Sequence, residues 1–200
     1  MDGFYRRRLP HWQPDGASFF VTFHLAQSVP AWVRKALQAG KEEDALVGGA
    51  FGQFDAWLDR VAEGSPRWLA EEGVARIVAT ELRRLDGDRY DLLAYCLMPN
   101  HVHLLIRMPL SEGWPEARLF PPLTEVLRTL KGRTARYGNQ VLKRRGAFWQ
   151  HESYDHVIRD DEELKRVAAY IVNNPVKAGL VRRWDAWPWT YVKDGTLPLP

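Results

Sequence analysis

The chain has 200 residues, of which 46% are hydrophobic and 26% are charged, and its formal net charge is +3 at pH 7. This length and composition fit one folded domain over residues 1–200 and exclude disordered, collagen-like and low-complexity proteins. Its longest apolar runs, such as 92–98, fall far short of the roughly 20 residues that cross a bilayer, and no signal-peptide pattern follows the N-terminal arginines. Cys96 is the single cysteine, which excludes an intrachain disulfide and a cysteine zinc cluster, so we expect a cytoplasmic protein without a membrane partner.

The first half of the chain predicts a strand, a long connection and a helix. Residues 19–25 (FFVTFHL) alternate and are rich in aromatic and β-branched residues, which predicts a strand. Glycines and Pro66 interrupt residues 40–73, so we expect a long connection or an insertion there. Over residues 74–85 the apolar residues recur at the spacing of one helix face, which predicts a helix.

The middle of the chain predicts a β-hairpin. Residues 91–98 have the apolar run of a buried strand, and residues 101–108 form a second strand. Between them, Met98-Pro99-Asn100 predicts a tight turn, because proline presets φ and asparagine tolerates unusual dihedral angles.

The remaining elements complete an α/β fold. We predict a helix over 124–137 with Thr124 as its N-cap and a strand over 154–158. Asp160 or Asp161 then caps a helix over 161–171 whose end is limited by Pro175. This order of strands and helices predicts a ferredoxin-like split βαβ fold with a central antiparallel sheet and an added C-terminal helix. Such a fold hosts many functions, so it does not decide the function.

Positive charge is concentrated in residues 121–150. This segment has seven basic residues and one acidic residue, so its net charge is +6 and the rest of the chain sums to −3. A basic segment on a near-neutral protein indicates a polyanionic partner such as nucleic acid. A solvated helix face with extended lysine and arginine side chains gives the same pattern, and charge alone does not choose between the two interpretations.

His101 and His103 are the strongest chemical signal in the sequence. Side chains alternate along a strand, so these imidazoles point to one face while Val102 and Leu104 point to the other. Their Cα atoms are about 7 Å apart, close enough for both rings to share one metal ion. A His-x-His pair also arises by accident, but its position within an apolar strand favours metal ligands. Two histidines leave a metal ion underligated, so we expect a third ligand elsewhere.

The last predicted helix offers that third ligand. Tyr170 and Asn174 are four residues apart, so they lie one above the other, beside the buried stripe of the helix. If the helix docks on the histidine face, it brings a phenol and an amide oxygen to the same ion. In the simpler alternative, Tyr170 is a packing residue and Asn174 is a C-terminal cap before Pro175.

Four segments of the chain carry a family resemblance. They are Ala94–Ile106 (AYCLMPNHVHLLI), Phe148–Gln150 (FWQ), Tyr154–Arg159 (YDHVIR) and Tyr170–Val181 (YIVNNPVKAGLV). Together they resemble the single-tyrosine HUH transposases, and more closely the REP-associated tyrosine transposases, relatives of the insertion-sequence-200 transposases. The resemblance covers most of the chain from Phe19 to about Trp189 and is weak over 40–73. The His-x-His hairpin combined with Tyr-x3-Asn-Pro-Val-Lys-Ala-Gly is highly specific.

The resemblance implies a site and a reaction. His101 and His103 match the HUH pair that binds a divalent cation, usually magnesium or manganese, and Asn174 matches the third ligand. Tyr170 matches the nucleophile, whose oxygen attacks a DNA phosphate to give a 5′-phosphotyrosine link and a free 3′-OH. Because the attack is reversible, strands are cleaved and rejoined without nucleotide energy. The implied protein is a metal-dependent transposase and endonuclease that acts on single-stranded DNA next to hairpins.

The basic helix is expected to contact DNA. Arg128, Lys131, Arg133 and Arg136 would follow the backbone of a single strand or a hairpin. Lys177 lies near the tyrosine in sequence and would touch phosphate if it faces the site; otherwise it is a surface lysine.

One other tyrosine and three further histidines need an interpretation. Tyr154 is the rival nucleophile, but we prefer Tyr170 because only Tyr170 has an amide one helical turn away. His24, His151 and His156 have no partner at ligand spacing, so we expect structural roles for them.

Three alternative functions were weighed against the transposase. A histidine-triad hydrolase is rejected, because that chemistry needs a histidine where this chain has Leu105. A catalytically silent hairpin DNA- or RNA-binding protein of the same fold stays open, as does an unrelated metal-stabilised ferredoxin-like protein.

A monomer and a homodimer are both compatible with the sequence, and in a dimer the helix with Tyr170 would serve the histidines of either chain.

Overall fold

The computed structural model describes residues 4–6, 10–12, 14, 16–28, 65–110 and 122–196. Most of the predicted connection over 40–73 lies outside the described residues; its last part contains one 3₁₀ turn, Trp68–Ala70. The strands and helices are β1 (Phe4–Arg6), β2 (Pro10–Trp12), β3 (Ser18–His24), α1 (Glu72–Arg84), β4 (Asp91–Leu97), β5 (His101–Arg107), α2 (Pro122–Val141), β6 (Tyr154–Val157), α3 (Asp161–Lys177) and β7 (Thr190–Val192). None of the described helices is long and apolar enough to cross a membrane.

Five strands form one antiparallel sheet in the order β6-β3-β5-β4-β7. The first four strands of this order have the arrangement of a ferredoxin-like split βαβ fold, so the predicted fold class is confirmed. Strand β7 extends the sheet beyond β4, and β1 pairs with β2 in a separate hairpin. Neither feature was predicted, because three-residue strands are too short to show a clear alternation of side chains.

Each face of the sheet carries its own hydrophobic cluster. On one face, alternate residues of β3, namely Phe19, Val21 and Phe23, pack beneath α1 and α2. On the other face, Phe20 and Leu105 pack beneath α3. The central strands are therefore buried on both sides, and the helix that carries the candidate nucleophile covers the face opposite to the basic helix.

The predicted hairpin of β4 and β5 is confirmed, with its turn at residues 98–100. The turn is buried, yet its carbonyl groups have partners. The backbone N–H of Leu69 donates to the carbonyl of Pro99 at 3.1 Å, and that of Leu25 donates to the carbonyl of Asn100 at 2.8 Å. These bonds hold the turn from both sides and fix the start of β5.

Helix α2 is longer than predicted. It runs over Pro122–Val141, so Thr124 lies inside its first turn instead of capping it, and it continues past the predicted end at 137. Packing explains the glycine at position 138 of this helix, because a Cβ atom there would lie 2.6 Å from the ring of Phe148. This close contact compensates for the low helix propensity of glycine.

Helix α3 also continues beyond its predicted end. The prediction that Pro175 limits the helix was wrong, because the helix extends through Lys177. A proline in the last turn removes a single N–H donor, and the end is closed by a Schellman motif. In that motif the N–H of Gly179 donates to the carbonyl of Val176 at 3.0 Å, and the N–H of Leu180 donates to the carbonyl of Pro175 at 2.9 Å. Gly179 has a φ of +70°.

A buried carboxylate ties the start of α3 to the end of β6. Asp160 is the N-cap, as one of the two predicted alternatives, and its side chain accepts from the N–H of Glu163 at 2.7 Å. The Glu163 carboxylate accepts from the backbone N–H of Arg159 at 2.7 Å and from His156 Nε2 at 3.0 Å. His156 thus has the structural contact expected for it.

Candidate active site

The two histidines of β5 lie on the face covered by α3, and both side chains are completely buried. Val102 and Leu104 lie in the cluster on the opposite face, as strand alternation predicted. The Nε2 atoms of His101 and His103 face each other at 2.9 Å. An octahedral ion with bonds near 2.1 Å holds neighbouring donors about 3 Å apart, so this separation suits two ligands of one ion.

Two neighbouring side chains hold the outer nitrogens of the imidazoles. Asn100 Oδ1 lies 2.7 Å from His101 Nδ1, and Thr22 Oγ1 lies 2.9 Å from His103 Nδ1. Thr22 belongs to β3, where it is the register partner of His103. A hydrogen bond at the outer nitrogen fixes the orientation of an imidazole ligand, so both inner nitrogens are directed to one point.

Both imidazoles are uncharged at neutral pH. Burial lowers the pKa of His103 to about 3, and the positive charge of Lys177 acts in the same direction. Burial also lowers the pKa of His101 well below its ordinary value, with smaller contributions from His103 and His24. Neutral imidazole is the form that binds a metal ion, so binding needs no net loss of protons from the pair.

Helix α3 brings Tyr170 to the same face. Its ring centre lies 5.7 Å from that of His103 and 6.1 Å from that of Phe20, edge-on to both. The ammonium nitrogen of Lys177 lies 4.6 Å from the centre of the Tyr170 ring. Tyr170 is half-buried and Lys177 is exposed, so the site is open to solvent on the side of the tyrosine and closed behind the histidines.

Asn174 is buried one helical turn after Tyr170, within α3. The alternative in which it is a C-terminal cap is therefore wrong. Among the described residues, Asn174 Nδ2 is the one fully buried side-chain nitrogen or oxygen without a hydrogen-bond partner. Leaving a buried amide unpaired is costly, and a role facing a ligand accounts for it. Rotating the amide by 180° would put its oxygen at that position.

The described part of the chain contains no group of three His, Cys, Asp or Glu side chains placed to hold a metal ion. The buried, unpaired amide of Asn174 remains the residue predicted as a third ligand beside the histidine pair. A set of two imidazole nitrogens and one amide oxygen would suit a divalent cation such as manganese or magnesium.

The rival tyrosine lies near the same site. Tyr154 belongs to β6, is the register partner of Thr22, and has its ring centre 6.4 Å from that of Phe20. Phe20 therefore contacts the rings of both Tyr154 and Tyr170, and its own ring is stacked on His103 at 5.8 Å. Contact with Phe20 therefore does not distinguish the two candidate nucleophiles. The amide of Asn174, one helical turn after Tyr170, is the feature that distinguishes Tyr170 from Tyr154.

The predicted DNA-binding residues fall into two places. Lys177 lies beside Tyr170. The other four lie on α2, which packs on the face of the sheet opposite to the histidines; they are Arg128, Lys131, Arg133 and Arg136. The structure therefore brings one predicted phosphate contact to the tyrosine and places the rest of them away from it.

Arg133 and Lys131 of α2 form polar contacts with other elements of the protein. Arg133 forms an ion pair with Glu81 of α1 at 2.7 Å. Lys131 Nζ donates to the carbonyl of His151 at 2.9 Å and to Ser153 Oγ at 3.1 Å. These contacts attach α2 to α1 on one flank and to the segment leading into β6 on the other. The exposed members of the set are the remaining two arginines and Arg133 itself.

Sequence analysis missed Thr22 and the contact made by Asn100. The alternation of residues 19–25 places Thr22 on one face of its strand, but it does not reveal the strand that pairs with it. Asn100 was assigned to the turn alone, although its position next to His101 was the available signal.

A ferredoxin-like sheet with a buried His-x-His pair facing a helix that carries a tyrosine defines an HUH-type protein. The family model of the IS200-like transposases matches residues 76–174. A Haemophilus influenzae protein assigned as a REP-associated tyrosine transposase is 31% identical over 102 residues, which are 50% of this chain and 58% of that protein. The REP-associated tyrosine transposase of Escherichia coli K12 is 25% identical over 119 residues, 55% of this chain and 61% of the relative.

A solved structure supports the same fold. It is that of a REP-associated tyrosine transposase bound to a REP hairpin, and it aligns with 93% of this chain and 80% of its own, with a TM-score of 0.51 and 18% sequence identity.

The chain matches the IS200-like transposase family over residues 76–174, and its resemblance to the REP-associated tyrosine transposases is confirmed. The alignments span about three fifths of the length of the two curated relatives.

Proposed function

We propose that this protein is a transposase that cleaves and rejoins single-stranded DNA next to hairpins, through a 5′-phosphotyrosine on Tyr170 and with the help of a divalent cation. One observation carries the proposal: the ring of Tyr170 packs 5.7 Å from His103, whose Nε2 converges with that of His101. The match of residues 76–174 to the IS200-like transposase family supports the same class of reaction.

The reaction consists of two reversible phosphoryl transfers. The Tyr170 oxygen bonds to a backbone phosphorus while the bond from phosphorus to the 3′ oxygen breaks. The phenol loses its proton and the leaving 3′ oxygen gains one, which yields a 5′-phosphotyrosine and a free 3′-OH. Attack on this link by the same hydroxyl, or by one from another strand, rejoins DNA and releases the tyrosine. Each step exchanges one phosphodiester for another, so no nucleotide is consumed.

The tyrosine needs assistance, because a phenol with a pKa near 10 is a poor nucleophile at neutral pH. His101, His103 and the amide oxygen of Asn174 would hold magnesium or manganese, and the converging Nε2 atoms and the unpaired amide support this assignment. A bound divalent cation polarises the scissile phosphate and offsets its developing charge. Lys177 would contact the same phosphate from the solvent side of Tyr170.

Hairpin DNA is the proposed partner, which the similar protein solved with a REP hairpin supports. Arg128 and Arg136 are exposed on α2, where they would contact a DNA backbone. Because α2 and Tyr170 lie on opposite faces of the sheet, DNA that touches both must pass around an edge of the sheet.

A single chain contains the whole proposed site. Tyr170 and the histidine pair contact each other without a second copy, which supports a monomer as the working unit. A homodimer is then not needed to complete the site.

A covalent-adduct assay tests the proposed function. Purified protein is incubated with labelled single-stranded DNA taken from hairpins that flank its own gene, with Mn²⁺ and separately with EDTA. We expect a denaturant-resistant protein–DNA band that requires the metal and that disappears in Tyr170→Phe and His103→Ala. Tyr154→Phe is the matched control, since it removes the same hydroxyl from the neighbouring tyrosine and should keep the band.

Two outcomes would contradict the proposal in different ways. A band that survives Tyr170→Phe and is lost in Tyr154→Phe would keep the reaction and move the nucleophile. Tight hairpin binding with no adduct under any metal condition would favour the catalytically silent binding protein.

A further inference from the structure

Four buried side chains form a continuous chain of hydrogen bonds beneath the tyrosine. Thr22 Oγ1 lies 2.9 Å from His103 Nδ1, His103 Nε2 lies 2.9 Å from His101 Nε2, and His101 Nδ1 lies 2.7 Å from Asn100 Oδ1. None of these side chains is more than 1% exposed, so protein partners decide where each hydrogen sits.

The direction of this chain follows from its amide end. Asn100 faces the ring with its amide oxygen, which only accepts; in this orientation His101 carries its hydrogen on Nδ1 and donates it to Oδ1, and its Nε2 then has a bare lone pair. The 2.9 Å contact between the two Nε2 atoms therefore requires a hydrogen on Nε2 of His103. With that hydrogen placed, Nδ1 of His103 is bare and accepts from the hydroxyl of Thr22.

Metal binding needs a different arrangement at one histidine only. Both Nε2 lone pairs must face the ion, so His103 must carry its hydrogen on Nδ1. The ring keeps one hydrogen and stays neutral in both states; the hydrogen leaves Nε2 for water and another is taken up at Nδ1. In the second state Nδ1 donates, and its neighbour must accept.

We propose that Thr22 is a positioning residue that lets His103 switch between these two neutral tautomers when the cation binds. A hydroxyl group can rotate from donor to acceptor, which neither an amide oxygen nor an aliphatic side chain can do. Asn100, by contrast, holds His101 in one tautomer in both states. The inference rests on the proposed function, because it assumes that the histidine pair binds a divalent cation.

The sharpest variant is Thr22→Val, which keeps the shape of the side chain and removes the hydroxyl. Strand β3 favours a β-branched residue at this buried position, so we expect the fold to be kept. The variant removes the hydroxyl that would accept from Nδ1–H of His103 in the metal-binding state. Loss of such an outer hydrogen bond typically lowers metal affinity about 10–100-fold. Thr22→Ser, which restores a hydroxyl, should bind the metal much more like the wild type.

Two measurements on the full chain test the inference. Titration with Mn²⁺, followed by the electron paramagnetic resonance signal of the free ion, gives the affinities of the wild type, Thr22→Val and Thr22→Ser. Nitrogen-15 spectra of the histidine rings, recorded without metal and with Mg²⁺, report which nitrogen carries the hydrogen. We expect His103 to change from Nε2–H to Nδ1–H in the wild type while His101 stays Nδ1–H.

The outcomes separate the inference from the proposed function. Equal Mn²⁺ affinity for the wild type and Thr22→Val, or Nδ1–H on His103 already in the metal-free wild type, would overturn the role of Thr22 while the metal site stands. No Mn²⁺ binding by the wild type would overturn both the role of Thr22 and the metal-dependent part of the proposed function. The metal-free spectrum would still show whether the hydrogen-bond chain runs in the stated direction.

Discussion

Lys177 places an ammonium group beside the ring of Tyr170, on the open side of a site whose rear wall is the buried histidine pair. The lysine is exposed, and its positive charge contributes to the lowered pKa of His103. A phosphate that approaches the tyrosine would therefore meet the lysine before it reaches the histidines. Negative charge that accumulates on that phosphate during attack is stabilised most by groups already in position.

Replacing Lys177 should lower the rate of cleavage more than it lowers DNA affinity. We expect Lys177→Ala to reduce the single-turnover rate of adduct formation about 100-fold, since this is typical for the loss of one group that stabilises the transition state. Lys177→Arg should recover part of the rate. Equilibrium binding of the hairpin should change much less, because one phosphate contact among several is lost.

The matched control is Lys165→Ala, which removes an exposed lysine from the same helix, where it pairs with Glu162. It should leave the cleavage rate unchanged. A Lys177→Ala variant that cleaves at the wild-type rate would show that this lysine is only a surface residue.

The histidine pair could be predicted from the sequence because strand alternation is local. Three consecutive residues place His101 and His103 on one face whatever the rest of the fold does. Thr22 could not be predicted, because it is 81 positions away from His103 and meets it only through the register between β3 and β5. That register depends on the packing of two cores and is not visible in a single strand.

At the scale of the elements, α3 carries both the proposed nucleophile and the proposed third ligand, and it depends on its capping at each end. Its first turn is held by Glu163, and its last turn continues over Pro175 into the Schellman motif. The sequence predicted the start of this helix from Asp160, since caps are local signals. Its end was predicted too early, because helices usually stop before a proline. Here tertiary packing and the Schellman motif at the following glycine compensate for the N–H donor that the proline lacks.

The attachment of α3 should weaken in acid. Burial opposes the charge of Glu163, but hydrogen bonds from the side chain and backbone of Arg159 and from His156 outweigh it and lower the pKa of the carboxyl group from 4.5 to about 2. A carboxylate with a depressed pKa stabilises the fold above its unfolded-state pKa and loses that contribution as pH falls through the folded value. The contribution of Glu163, at most about 3 kcal/mol, should therefore fade between about pH 4.5 and 2.

Urea unfolding of the wild type and Glu163→Gln at several pH values checks this expectation. The difference in free energy of unfolding between them should be largest near neutral pH and should shrink below pH 4.5. Glu162→Gln is the matched control: it removes an exposed carboxylate from the same first turn and shares the interaction with the helix dipole. A pH-independent difference for Glu163→Gln, or one no larger than that of the control, would contradict the proposed attachment.

At the scale of the whole molecule, the sheet separates two surfaces of different character. One face carries α3 with Tyr170 and the buried histidine pair, and the other carries α2 with its exposed arginines. The charge pattern of residues 121–150 predicted a DNA-binding helix, but it could not show on which face the helix packs. Only the apolar stripe of α2, which shares one hydrophobic cluster with Phe19 and Val21, decides this.

The sequence predicted the order of the central elements because long amphipathic and alternating segments are strong local signals. It did not predict that β7 would extend the sheet, since three residues gain a strand conformation only from pairing with β4. Trp187 shows the same dependence on the whole molecule, because its Nε1–H donates to the carbonyl of Leu97 at 2.9 Å across 90 positions of sequence.

The central claim is that DNA becomes covalently linked to Tyr170, and peptide mapping by mass spectrometry tests it most directly. The adduct formed with Mn²⁺ and hairpin-flanked single-stranded DNA is digested first with nuclease and then with trypsin. Cleavage after the lysines and arginines separates residues 167–177, whose single tyrosine is Tyr170, from residues 146–159, whose single tyrosine is Tyr154. We expect the added nucleotide mass on the 167–177 peptide alone. The mass on the 146–159 peptide, or cleaved DNA with no modified peptide, would rule out Tyr170 as the attachment point.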